Sequence, residues 1–199
     1  LIDTPGHVDF NYEVSRSLAA VEGAILLVDA TKGIQAQTLG NLELARHQNL
    51  TIIPVINKID SPAAKVAETE KEILDLLKIQ PSEIINVSAK QGTNVEQILK
   101  AVVERVPSPQ GDETAPLRAL VFDSKYDAFK GIIAFVRIVD GRVQKGEKIV
   151  LVQSQAQGEV KEVGIFSPLL MPVEKLSAGE IGYLATGIKT PDKVRVGDT

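Results

Sequence analysis

Up to about Val106, short apolar runs alternate with longer amphipathic stretches, and this alternation limits the possible folds more than any other feature. The runs GAILLVDA, TIIPVINK and EIINVSAK are continuously apolar rather than alternating. That pattern suits strands buried on both faces of a parallel sheet. Helical patterns lie between and after them. Val95, Ile98, Leu99, Val102, Val103 and Val106 fall at i, i+3, i+4, i+7, i+8 and i+11 and mark one stripe of a helix. Thr93 and Glu96 stand ahead of it at the spacing of a capping box. A second helix is predicted over 63–78, with Ser61 as its cap and Pro62 in its first turn. Strand–helix–strand alternation implies an α/β fold with right-handed crossovers. Pro54 is expected near the start of its strand, because a missing N–H is unwelcome inside a buried one.

The texture changes after PSPQGDETAP, residues 107–116, which reads as a linker because Pro, Gly and acidic residues neither continue a helix nor form a core. Beyond it, LRALVFDS, GIIAFVRIVDGRV, EKIVLVQ, EVKEVGIF and EIGYLATGI are short strand patterns broken by Gly, Asp, Lys and Pro. Ile132, Ala134, Val136 and Ile138 share one face, and Ile133, Phe135, Arg137 and Val139 the other. VDGRV reads as a hairpin turning at Asp140-Gly141. Many short strands without a helical pattern suggest a small antiparallel β-barrel. The expected organisation is an α/β domain over 1–106, a linker over 107–116 and a barrel over 117–199.

Composition removes several classes. A chain of 199 residues with 44% hydrophobic residues and a mean hydropathy of +0.05 has enough apolar material for a packed core. No apolar run approaches the ~20 residues of a membrane helix, and no signal peptide is visible. With no Cys, disulfides and thiolate metal sites are excluded, which is compatible with a reducing compartment. The net charge of −4 gives no sign of free nucleic-acid binding. Residues 1–110 carry 10 Lys and Arg against 14 Asp and Glu, whereas residues 111–199 carry 12 of each.

Three polar clusters follow apolar runs. Asp3-Thr4-Pro5-Gly6-His7 places a carboxylate and a glycine N–H after a strand-like start, at the carboxyl end of a sheet where open α/β folds bind ligands. A carboxylate there suits a hydrated Mg²⁺, and a glycine N–H can approach a phosphate oxygen closely. Asn57-Lys58-Ile59-Asp60 and Ser88-Ala89-Lys90 end the later runs. Taken singly, each has a plainer explanation: an ordinary turn, a helix cap, a polar loop. All three occur in order, each between a strand pattern and a helix pattern, and that context favours function over coincidence.

DTPGH, NKID and SAK in this order resemble the translational GTPase family. The resemblance covers nearly all of the chain. It implies a partial P-loop-type GTPase domain followed by the barrel that is the second domain of such factors. It implies a GTP hydrolase that acts with Mg²⁺, held through water by Asp3. The Gly6 N–H would meet the γ-phosphate, and His7 would orient the attacking water in the role a Gln plays in Ras-type enzymes. Asn57 and Asp60 would read the guanine base, the Ala89 N–H would meet its O6, and the stems of Lys58 and Lys90 would flank it, with Ser88 in the same loop. The implied partners are GTP and GDP and the ribosome, with its RNA, its proteins and tRNA-bound complexes, and no stable oligomer. The implied location is the cytoplasm, with peripheral contact at the cytoplasmic face of the membrane as a further possibility.

Within the family, DFNYEVSRSLAAVEGAILLVDATKGIQAQTL and EVGIFSPLLMPVEKLSAGEIGYLATGIK resemble one elongation-factor subfamily more closely than translocase or release-factor relatives. Asn11 departs from the Ser expected there. The family's phosphate-binding loop, GxxxxGK[ST], and its first switch Thr precede DTPGH, and neither occurs in this sequence. The resemblance therefore implies base recognition and the catalytic His without the phosphate cradle. The alternatives are another translational GTPase, translocase-like or concerned with ribosome assembly, and a non-enzymatic interaction protein if the gene begins near Leu1.

Overall fold

In the computed structural model, which describes residues 1–4 and 10–199, the three apolar runs form a parallel sheet. Its strands lie in the order β1 (Gly23–Asp29), β2 (Thr51–Asn57), β3 (Ile85–Asn86). The helices are α1 (Asn11–Leu18), α2 (Ala36–His47), α3 (Val66–Leu77) and α4 (Val95–Arg105). They belong to the first of two compact units, Leu1–Pro107 and Ser108–Thr199.

The central strand β2 is buried on both faces, which is why it reads as a continuous apolar run, whereas β1 leaves Leu27 exposed. Leu42 of α2 and Ile73 of α3 pack with Leu26, Val28 and Ile56. On the opposite pleat Ile53 and Val55 pack with Ala101 of α4. Val14 and Leu18 of α1 pack against Ala45 of α2.

Several details differ from the sequence reading. Leu1–Thr4 form no strand; an apolar pair offers too few ladder bonds to offset the ordering of a chain end. Pro54 sits in the middle of β2, in register with Leu26, and is buried. Its position is tolerated because of the ladder on the β3 side. The Ile56 carbonyl faces β3, accepting the Val87 N–H, so Pro54, two residues earlier, faces the same way. The β3 ladder begins only at Val55–Ile85, so no β3 acceptor stands opposite the missing donor.

α3 begins at Val66, not at residue 63. Ser61 and Pro62 instead form a turn in which the Ser61 carbonyl accepts the Ala64 N–H, and the Lys65 N–H is donated to Ala30. The third apolar run gives a strand of only two residues, because the Asn86 carbonyl accepts Nδ2–H of Asn94 and Ser88 then pairs with Thr93. That pairing occupies Thr93, so no capping box forms; α4 starts from Asn94 in the left-handed region at φ 59°. The apolar stripe of α4 is also only half used. Ala101 is buried and Ile98, Val102 and Val106 pack beside it, whereas Leu99 and Val103 are exposed. The apolar arc is wider than the contact with β2, and the small Ala101 marks the side of closest approach.

The second unit is antiparallel. β4 (Arg118–Asp127), β5 (Gly131–Asp140), β9 (Glu162–Ser167), β10 (Leu169–Pro172) and β12 (Ile181–Ala185) form a sheet in the order β10-β9-β12-β5-β4. Two short pairs join β6 (Arg142–Gln144) to β11 (Lys175–Ser177) and β7 (Lys148–Val150) to β8 (Gln157–Glu159). They surround a barrel-type core in which Ile132, Ala134, Val136 and Ile138 meet Val143, Val160, Leu176 and Leu184, while β10 is exposed throughout. On the outer face Phe135 stacks edge-on with Phe166, ring centroids 5.0 Å apart.

Asp140-Gly141 is a turn, with Gly141 at φ 73°, but it does not join a hairpin. Both edges of β5 are taken, by β4 and β12, so the chain leaves the sheet and β6 pairs with β11. The segment before β4 is tied to that turn: the Gly141 N–H is donated to the Asp112 carbonyl, and the Asp112 N–H to Asp140 Oδ1.

A Cβ added at Gly182, in the centre of the sheet, would stand 2.3 Å from the Gly164 carbonyl oxygen and 2.6 Å from Leu176 Cδ1. Gly182→Ala is therefore expected to destabilise this unit by about 1–3 kcal/mol through overpacking. Urea denaturation measures it, and an unchanged midpoint would show that the strands separate freely.

Candidate functional site

The carboxyl ends of β1, β2 and β3 bring together residues far apart in sequence. The Ala30 N–H is donated to the Asn57 carbonyl and the Val87 N–H to the Ile56 carbonyl, so the loops leaving the three strands are joined at their roots. Asn57 then turns its side chain back on the loops. Its Oδ1 accepts the Lys58 N–H at 2.7 Å and the Ala89 N–H at 3.0 Å. One amide oxygen thereby ties the loop after β2 to the loop after β3. Lys58 follows in the left-handed region at φ 64°, a conformation a residue with a Cβ adopts only when held there.

Asp60 is fixed from the other loop. The fully buried Ser88 accepts the Gln91 N–H at its Oγ (3.1 Å) and donates its hydroxyl to Asp60 Oδ1 (2.6 Å). That hydroxyl is the main reason the Asp60 carboxyl is held below the ordinary carboxylate range, with a smaller contribution from the charge of Lys90. The carboxylate is therefore ionised and oriented before any ligand arrives. Asn57, Lys58, Asp60, Ser61, Pro62, Ala89 and Lys90 line a cleft of about 440 Å³, a size within the usual range for small-molecule sites.

Two of the three motifs named in the sequence thus meet at one cleft. Asp3 does not line it; its exposed carboxylate belongs to a segment without regular structure. Gly6 and His7 lie outside the described residues. Among the described residues no three His, Cys, Asp or Glu side chains cluster as a metal site. A single exposed carboxylate such as Asp3 has the chemistry for one water-mediated contact to a hard cation whose other ligands are waters and phosphate oxygens.

Sequence reasoning missed Asp29. It ends β1 in register with Asn57. Its Oδ1 accepts the Thr31 N–H (2.9 Å) and the Thr31 hydroxyl (2.7 Å), and its Oδ2 holds the Lys58 ammonium at 2.7 Å. Lys58 first, and then the Thr31 donors, bring its carboxyl down to about 2. The Asp-Ala-Thr spacing at the end of an apolar run was the available signal, since Asp readily accepts bonds from the residue two positions on.

Residues 1–108 match the family described as the elongation factor Tu GTP binding domain, and residues 131–199 match elongation factor Tu domain 2. Curated relatives include elongation factor 4 of Clostridium kluyveri, 57% identical over 199 residues, and elongation factor 4 of Thermotoga maritima, 56% identical over 199 residues. Each match takes in 100% of this chain but only 33% and 32% of the relative, so the chain spans about a third of their length. Among solved structures, the translation elongation factor SelB of Methanococcus maripaludis in complex with the GTP analogue GppNHp superposes with a TM-score of 0.82 at 22% identity. That match covers 100% of this chain and 45% of the other, and at this identity it speaks to the fold. A bacterial selenocysteine-specific elongation factor, EF-Sec, superposes at 0.79 with 25% identity, over 98% of this chain and 34% of the other.

Proposed function

The chain belongs to the translational GTPase family, by its match to the elongation factor Tu GTP binding domain over residues 1–108, and from that premise we propose that the cleft between the β2 and β3 loops recognises the guanine base of GTP. The observation that carries this reading is the oriented carboxylate of Asp60, held ionised by a buried hydroxyl at the mouth of a base-sized cleft. Guanine offers two adjacent donors, the ring N–H and the exocyclic amine, and a carboxylate accepts both. Adenine presents no such pair and leaves the carboxylate unsatisfied, which makes rejection strong.

The other residues have supporting parts. Asn57 spends its amide oxygen on holding the two loops, which leaves its N–H₂ as that side chain's donor to the base. The Ala89 N–H is donated to Asn57, so a guanine O6 would share that donor or take it over. Lys58 and Lys90 offer aliphatic stems to the faces of the planar ring.

In the intact protein the proposed reaction is attack of water on the γ-phosphate, giving GDP and phosphate. Positioning and charge neutralisation dominate such chemistry. Mg²⁺, when bound, neutralises phosphate charge; Asp3 would hold it through water, the Gly6 N–H would meet the γ-phosphate and His7 would orient the attacking water. The elongation factor 4 relatives favour a factor of that type, working on the ribosome in the cytoplasm, with the barrel as a non-catalytic contact to the small subunit. Among the described residues no helix is long and apolar enough to cross a membrane, and peripheral contact with the membrane rests on resemblance alone.

Competition of GDP and ADP for the full-length protein tests the reading. GDP is expected to bind at least ~10³-fold more tightly, the discrimination a site built around hydrogen bonds achieves. Comparable affinities would exclude guanine recognition by this cleft.

A further inference from the structure

Lys58 is constrained more heavily than a loop lysine requires. Its backbone is held in the left-handed region, its N–H is donated to Asn57 Oδ1, and its ammonium is held by Asp29 on the neighbouring strand. Asp29 is itself immobilised: β1 pairing fixes its backbone, and the two bonds from Thr31 occupy its Oδ1, leaving Oδ2 to face Lys58. The side chain that lines the cleft is thus anchored at its far end to a residue that does not line it.

We propose that Asp29 is a positioning residue for nucleotide recognition, which fixes the Lys58 side chain as a preformed wall of the cleft by holding its ammonium at the end of β1. This inference rests on reading the cleft as the guanine site. A free lysine loses much rotamer freedom when it is laid along a ligand. If the loss is taken on folding, it is not taken again on binding, and affinity rises without any new contact to the ligand. The anchoring also removes the ammonium from the cleft, so the wall offered to the ring is hydrocarbon. The pair is partly exposed, with the side chains of Lys58 and Asp29 at 55% and 22% accessibility, so its contribution to folding is small. Its effect is expected in binding.

The test is a mutant cycle on the full-length protein, read by titration with a fluorescent GDP analogue. Asp29→Asn keeps an oxygen for the Thr31 donors and removes the acceptor for Lys58. Lys58→Met keeps most of the stem and removes the ammonium. Asp29→Asn is expected to weaken GDP binding by about 2–10-fold, the change that corresponds to ordering one long side chain. In the Lys58→Met background it should have no further effect. The preference for GDP over ADP should persist, because Asp60 is untouched. Asp29→Glu, which retains a carboxylate, should restore part of the affinity. An unchanged affinity in Asp29→Asn, or the same loss in both backgrounds, would overturn the proposal. If the wild-type protein does not prefer GDP to ADP, the cleft reading fails and this inference fails with it; that control uses no Asp29 variant, so the two failures are told apart.

Discussion

Replacing Asp60 by Asn is expected to convert the full-length protein from a GTP binder into an XTP binder. The structure supplies the reason for the direction. Ser88 Oγ accepts the Gln91 N–H and donates its own proton to the residue at position 60. In the Asn variant that bond is retained only if the amide oxygen faces Ser88. The amide N–H₂ is then the group presented to the base. It meets the ring N–H and amine of guanine donor to donor, whereas the 2-oxo group of xanthine accepts from it. GTP affinity should fall by ~10² or more, with XTP now the preferred ligand. The competing account, that Asp60 only caps a helix, fits the fold poorly: α3 starts at Val66, and its N-cap, Lys65, makes no side-chain capping bond. Competition binding with GTP and XTP, together with a melting curve, decides between them. A retained GTP preference with a lowered melting temperature would refute base reading by Asp60.

The site was legible to the degree that its chemistry is local in sequence. Asn57, Asp60, Ser88 and Ala89 stand within two short motifs, each at the end of an apolar run, and a parallel sheet brings such ends to one edge. What the motifs do not reveal is how the residues hold one another. That Asn57 Oδ1 bonds to Ala89, and Asp60 to Ser88, depends on the turn at Lys58 and on the short β3, and neither carries a periodic signature. Asp29 was hidden for the same reason, because its partner is adjacent only across the β1–β2 register.

Fold class was legible because burial on both faces leaves unbroken apolar runs, as in residues 53–56 of β2. The misreadings arise where a local pattern met a tertiary constraint. Asp140-Gly141 has the residues of a hairpin turn, but β5 had no free edge to pair with. Thr93 and Glu96 have the spacing of a capping box, but Thr93 was already paired with Ser88. The stripe on α4 was read at full width, and packing used the side that carries Ala101.

Substitution of His7 is expected to lower turnover on the ribosome while leaving nucleotide affinity nearly intact. His7 lies outside the described residues and closes the Asp-Thr-Pro-Gly-His motif. Asp-Thr-Pro-Gly-His resembles the segment that meets the γ-phosphate in translational GTPases, with the His directed at the attacking water. Thr4, the last described residue before it, lines a cleft together with Asp29, Lys32 and Gly33 near the end of β1. The cleft that holds Asn57, Asp60 and Lys90 is a separate one, at the end of β2. A side chain that acts on water beside the last phosphate of a nucleotide contributes little to ground-state binding. His7→Ala should therefore reduce ribosome-stimulated kcat by ~10²–10⁴, the range for a positioned acid–base or water-orienting group, with the Kd for GDP changed by less than about threefold. His7→Gln separates the two ways in which His7 can act. A Gln side chain orients a water by hydrogen bonding but does not exchange protons near pH 7, so substantial recovery points to orientation and none points to proton transfer. Single-turnover hydrolysis with ribosomes in excess measures the effect, and an undiminished rate in His7→Ala would remove His7 from the mechanism.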